Sequence, residues 1–156
     1  MVMRVVPLVT PDETRALGQR LGAHAFDGGL LLLRGTLGVG KTTLAGAVAH
    51  ALGVDGTVPS PTYVLVQEYP DARIPLRHAD LYRLEAPSDV AALDLWERIG
   101  HDGLWLVEWP ERAPGDAWPD ERLEIHLDDE GGGRRATLVA HGPRHARWLD
   151  AVGGGA

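Results

Sequence analysis

The chain contains no cysteine, which rules out a disulfide scaffold, a thiolate metal site and a cysteine nucleophile. It contains no asparagine, so an Asn-Lys-x-Asp segment, the usual reader of guanine, cannot be built from it. Zinc finds no ligand set among the histidines: of seven, only His141 and His145 have ligand-like spacing, and no third or fourth ligand accompanies them. No apolar run approaches the ~18 residues that a membrane span needs. Residues 1–9 lack the basic, apolar, small-residue order of a signal peptide, so a cytoplasmic location is expected. A basic face is missing too. Net charge is −7 and the arginines are scattered, so direct, tight contact with nucleic acid is not expected and would have to come through a partner. A Leu-Ser-Gly-Gly-Gln transporter signature, an internal repeat and a long linker are also absent.

Lysine is the most informative scarcity. Lys and Arg total 15, yet Lys41 is the single lysine and the other fourteen are arginine. A chain that otherwise writes every cation as Arg keeps an ammonium here, as a site needing a compact point charge on a flexible stem would require.

The 156 residues, 44% hydrophobic and 24% charged, suit one domain burying about 68–70% of its unfolded surface. Residues 1–152 are expected to form it, with 153–156 as a frayed tail. Residues 3–9 read as an edge strand that tolerates Pro7. Thr10, Pro11 and Glu13 then form a capping box opening a helix to about Ala25, with Leu17 and Leu21 on one face. The run Leu30–Leu33 reads as a strand buried on both sides. A helix follows from Lys41 to Leu52, stopped by Gly53. Residues 63–69 and 74–79 read as strands about a Pro70-Asp71 turn, and 87–99 as a helix capped by Ser88. Leu104–Val107 is a second buried strand. Residues 123–127 and 136–140 flank Gly131-Gly132-Gly133 as a hairpin. His141 and His145 are expected to decorate the start of a last helix near Pro143.

Between the first buried strand and its helix lies Gly35-Thr36-Leu37-Gly38-Val39-Gly40-Lys41-Thr42, which matches G-x-x-x-x-G-K-[ST] at every fixed position. Glycines let the backbone turn its N–H groups inward on phosphates, and the helix start adds its positive end. Lys41 reaches the β/γ-phosphates, and Thr42 offers Mg2+ a hard oxygen. Gly38, Val39, Gly40, Lys41, Thr42 and Thr43 are thus candidate nucleotide contacts, with Lys41 also acting in catalysis. With guanine excluded, the expected nucleotide is ATP. The fold implied is α/β and P-loop NTPase-like: three layers, a sheet parallel at its centre and antiparallel at its edges, and a C-terminal hairpin.

Such a site needs an acid at a neighbouring strand end to serve Mg2+. Leu104-Trp105-Leu106-Val107-Glu108 supplies four apolar residues and then a carboxylate. Asp80 closes the 74–79 segment. It could polarise the attacking water, hold the metal's water shell, or simply cap a turn. Ser60-Pro61-Thr62-Tyr63 lies where P-loop proteins often sense the γ-phosphate, with Thr62 the candidate contact; a plain loop is the other reading.

The ordered set R-G-T-L-G-V-G-K-T-T (34–43), S-P-T-Y (60–63), H-A-D-L-Y-R-L (78–84), L-V-E-W-P (106–110) and L-E-I-H-L (123–127) resembles the bacterial TsaE/YjeE family over about residues 4–140. That family is the ATPase of tRNA N6-threonylcarbamoyladenosine (position 37) biosynthesis. The resemblance implies a Mg-dependent ATPase, slow alone, that acts with the TsaD and TsaB proteins and meets tRNA only indirectly. It implies Mg2+ service by Thr42 and Glu108, and an acid or base role for Asp80. Trp109 would pack beside the nucleotide and the S-P-T-Y segment would switch. Arg134 and the region Thr10 to Asp12 would be further nucleotide contacts. The chain departs from the family pattern in having Thr36 where Asp is common, and Ala79, a smaller neighbour of Asp80, where Phe is common. Two rival readings share the cradle: a small-molecule kinase and a non-catalytic ATP-dependent switch.

Overall fold

The computed structural model describes residues 1–36, 38–55, 66–83, 95–114 and 117–153. Its strands are β1 (Val2–Leu8), β2 (Leu30–Arg34), β3 (Val66–Tyr69), β4 (Leu76–Asp80), β5 (Leu104–Glu108), β6 (Arg122–Glu130) and β7 (Gly133–His141). Its helices are α1 (Pro11–Ala23), α2 (Lys41–Ala51), the single turn α3 (Leu95–Arg98) and α4 (Pro143–Gly153), with a 3-10 turn at Pro110–Arg112. The strands form one sheet in the order β1-β7-β6-β2-β5-β4-β3. Strands β6, β2, β5 and β4 run parallel, while β7 and β3 are antiparallel to their inner neighbours. This is the expected P-loop NTPase-like α/β sheet.

Local chemistry explains the elements that frame the site. Four leucines of β2 are buried at 0–1% exposure because a core covers each face of this central parallel strand. Thr10 caps α1 by accepting from the Glu13 N–H at 3.3 Å. The Glu13 carboxylate reaches back to the Val9 N–H, one residue earlier than a standard capping box. Gly18 and Gly22 bring α1 hard against α2. A Cβ added at Gly18 would lie 2.5 Å from the Ala47 Cβ and 2.7 Å from the Leu44 carbonyl oxygen.

One apolar core holds Leu17 and Leu21 of α1, Leu44 and Val48 of α2, and Trp148, Leu149 and Val152 of α4 against one face of the sheet. A smaller core on the other face joins Leu30, Leu32, Ala79, Trp105, Val107 and Trp118. Among the described residues that layer is thin, carrying only α3 and the 3-10 turn. The two faces alternate residue by residue, so Ala79 and Asp80 point to opposite sides. The size of residue 79 therefore does not bear on how Asp80 is aimed.

Several boundaries differ from expectation. The hairpin strands are longer than 123–127 and 136–140, and Gly133 already belongs to β7, so the turn tightens to Gly131-Gly132. Both have positive φ, 54° and 89°, the two-residue geometry that suits strand twist. His141 ends β7 and contacts Glu124 at 3.2 Å, so it does not start the last helix. Gly153 is helical rather than part of the tail; residues 154–156 lie outside the described residues. So do 63–65 and 84–94, and with them the first part of the expected 63–69 strand and most of the 87–99 helix.

Candidate nucleotide-binding site

Strand register gathers the site. In the parallel centre Leu33 pairs with Glu108, and Glu108 with Asp80. The carboxyl ends of β2, β5 and β4 are therefore level, and open α/β sheets bind ligands beyond such ends. The turn after β2 needs its glycines. Gly35, Gly38 and Gly40 have φ of 150°, 78° and 110°, a region that side chains rarely enter. At Gly35 a Cβ would also meet Val39 Cγ1 at 2.7 Å and the Leu127 carbonyl oxygen at 2.8 Å. Gly40 stands at the N-cap of α2 with no side-chain cap, which leaves the first N–H groups of that helix for an anion.

Lys41 is buried to 5% exposure. Its Nζ donates to the Gly35 carbonyl at 2.6 Å and lies 3.6 Å from the centre of the Trp109 ring. Burial lowers its pKa below the ordinary lysine value, while the carboxylates of Glu108, Glu111 and Asp80 push it back up. Trp109 holds this place in a left-handed conformation, φ 57° and ψ 47°. That is costly for a bulky side chain, and doubly so before proline. Tyr82 supports it, the ring centres 4.8 Å apart.

The two acids are both buried, Asp80 at 6% and Glu108 at 2% exposure. Asp80 accepts from the Tyr82 N–H at 2.9 Å. Glu108 meets His78: imidazole Nε2 and carboxylate Oε2 are 2.6 Å apart. On the other side of the cradle lies a cavity of about 250 Å³. Its walls include Leu8, Thr10, Thr14, Val39, Thr43 and Arg134, with Gly38 and Gly40 also at its edge. Arg134 donates from Nε to the Val39 carbonyl at 3.1 Å and from Nη2 to the Gly38 carbonyl at 3.4 Å. Asp129 pairs with its Nη1 at 2.6 Å.

The candidate residues thus fall into two groups on either side of one turn. Lys41, Asp80, Glu108 and Trp109 are together, and so are Gly38, Val39, Gly40, Thr43 and Arg134. Thr42, the second residue of α2, is exposed. Thr62, with the whole S-P-T-Y segment, lies outside the described residues. Arg134 grips the cradle's backbone, a role the sequence reading did not foresee. His78, Tyr82 and Thr14 were not singled out either. For His78 the signal was available: it lies two residues before Asp80 in a strand, hence on the same face.

The donor set suits a magnesium nucleotide. Among the described residues no group of three His, Cys, Asp or Glu could hold a metal by itself. Mg2+ is usually held by one or two carboxylates with substrate phosphates and water completing its shell, and Glu108 beside Asp80 at a phosphate-shaped turn meets that description.

A family profile described as "Threonylcarbamoyl adenosine biosynthesis protein TsaE" matches residues 8–137. The Bacillus subtilis (strain 168) tRNA threonylcarbamoyladenosine biosynthesis protein TsaE is 40% identical over 141 residues, spanning 88% of this chain and 85% of its own. Its namesake from Nostoc sp. (strain PCC 7120 / SAG 25.82 / UTEX 2576) is 42% identical over 141 residues, spanning 88% and 86%. The crystal structure of Bacillus subtilis YdiB aligns with a TM-score of 0.82 at 31% identity, covering 97% of this chain and 95% of that one. With a family match from residue 8 to 137 and relatives at 40% and 42% identity over most of its length, this chain belongs to the TsaE family.

Proposed function

We propose that the protein binds MgATP and hydrolyses it within the cytoplasmic machinery that makes threonylcarbamoyladenosine in tRNA, slowly alone and faster when docked on the TsaD and TsaB proteins. One observation carries this reading: the glycine turn opens onto an uncapped helix start, with a buried lysine facing two carboxylates at level strand ends. The family's biosynthetic role supports the setting.

Each residue has a part. The N–H groups of residues 38–43 bind the phosphates, and Lys41 leaves the Trp109 face to meet the β/γ-phosphates. Arg134 holds the Gly38 and Val39 carbonyls and so fixes the backbone of the turn. The cavity beside Leu8, Thr10 and Thr14 seats the nucleoside, as its apolar and hydroxyl lining suits a base and ribose. Thr42 and Glu108 serve the metal; Mg2+, when bound, neutralises charge on the phosphates. Asp80 orients the attacking water, and Thr62 senses the γ-phosphate. Chemistry of this kind is positioning and electrostatics. One added cation is worth about 10³–10⁵-fold in kcat, so a cation from a partner, or Arg83 in the turn after β4, gives the stimulation its physical basis.

The kinase reading is less favoured. Residues 122–153, where a closing lid would be sought, form a hairpin within the sheet and a helix buried against it. The test is ATP turnover with and without TsaD/TsaB. Stimulation is expected. Unchanged turnover at saturating partners defeats the partner-activated reading, and no phosphate release in a single turnover favours the switch.

A further inference from the structure

We propose that His78 is a positioning residue for Glu108: its imidazole Nε2–H anchors one carboxylate oxygen and so sets the direction in which the group meets a divalent cation. The proposal rests on the reading of Glu108 as the metal's acid and assigns a role to a residue outside that reading.

Geometry carries it. His78 pairs with Leu106 and Asp80 with Glu108 in the parallel β4–β5 ladder. His78 therefore stands one side-chain step below Glu108 on the same sheet face, the face that α2 covers. The two side chains are 1% and 3% exposed and their polar atoms are 2.6 Å apart. In its metal-binding, ionised form a carboxylate only accepts, so Nε2 must carry the hydrogen. A glutamate's terminal torsion is broad and nearly two-fold, and a short contact from a fixed ring nitrogen narrows it. The imidazole is short, stiff and mounted on a strand paired on both sides, the kind of support that holds a functional group to a fraction of an ångström. Outer partners of metal-binding groups are worth about 10–100-fold in metal affinity.

The experiment titrates Mn2+ into the full-length protein saturated with ADP, followed by electron paramagnetic resonance. His78→Leu is expected to weaken Mn2+ by about 10–100-fold, with ADP affinity in EDTA unchanged. His78→Gln, which places an amide N–H near the Nε2 position, is expected to recover most of the loss. Mn2+ binding to His78→Leu at the wild-type level overturns the proposal, and so does an equal loss of metal-free ADP affinity, which would mark general damage. Glu108→Ala separates the two readings. If it leaves Mn2+ affinity unchanged, the metal role of Glu108 falls. If it weakens Mn2+ while His78→Leu does not, only the role of His78 falls. Should His78→Leu fail to fold, the imidazole 15N spectrum of the wild-type protein decides: the Nε2–H tautomer supports the proposal and the Nδ1–H tautomer overturns it.

Discussion

Lys41 concentrates several forces on one ammonium. Burial works against its charge, while three carboxylates, an aromatic face and a carbonyl hold it. A desolvated cation over tryptophan gains about 2 kcal/mol, which stabilises the parked position and is given up when the ammonium moves to a triphosphate. Hydrogen bonds to charged groups are worth about 1.5–3 kcal/mol, so Lys41→Ala is expected to weaken ATP binding by at least about 10–100-fold. Equilibrium binding of a fluorescent ATP analogue measures it; wild-type affinity in the variant would remove Lys41 from the site. In the wild-type protein, ATP should also change the emission of Trp109 as the ammonium leaves its ring, a change absent in Trp109→Phe. At this scale the motif made Lys41 and its glycines legible. The left-handed Trp109 was not, because local preference before Pro110 points to extended backbone and tertiary packing, that of Tyr82 and Lys41 included, overrides it. The His78–Glu108 contact needed the β4–β5 register, which a single sequence does not print.

Among elements, α1 and α2 meet with little room to spare. Gly18 could gain up to about 1 kcal/mol of helix propensity as alanine. Its Cβ would nevertheless press on a backbone oxygen that cannot swing aside, and overpacking costs about 1–3 kcal/mol. Gly18→Ala is therefore expected to be destabilising. Gly46→Ala on α2, where a Cβ meets nothing within 4 Å, is expected to be stabilising. Urea unfolding of the pair checks both signs, and a stabilised Gly18→Ala would refute the close contact. The continuous leucines of β2 and the acid-terminated β5 were readable as buried parallel strands. The placing of the hairpin was not: β6 lies parallel beside β2, although 123–127 reads like any edge strand.

For the molecule as a whole, acid should expose a weakness at His145. Its Nε2 accepts from the Leu30 N–H at 3.1 Å, at the root of β2, while Nδ1 is buried without a partner. Burial, then the Arg144 and His141 charges, lower its pKa from 6.5 to about 4, opposed only by Glu121. The unfolded chain therefore takes up a proton that the folded one refuses. Stability is whole above about pH 6.5 and falls as pH drops through about 4, by about 3 kcal/mol in all. Unfolding free energies at pH 7 and pH 4.5 test this in wild type and His145→Leu; the variant should lose less between the two. An equal loss would clear His145. Composition could not reveal this, because the burial of one histidine depends on α4 docking so that His145 meets Phe26 and lies beside Trp148 of its own helix.

The grip of Arg134 on the cradle spans 95 residues to Val39, and among the described strands β1 pairs with β7 alone. A nascent chain leaving the ribosome would therefore carry its nucleotide turn long before the arginine that shapes it. Its first strand would wait unpaired for nearly the last. Competence for the ligand should arrive late in synthesis and all at once, and a chain cut short before the final strand should emerge unable to hold ATP.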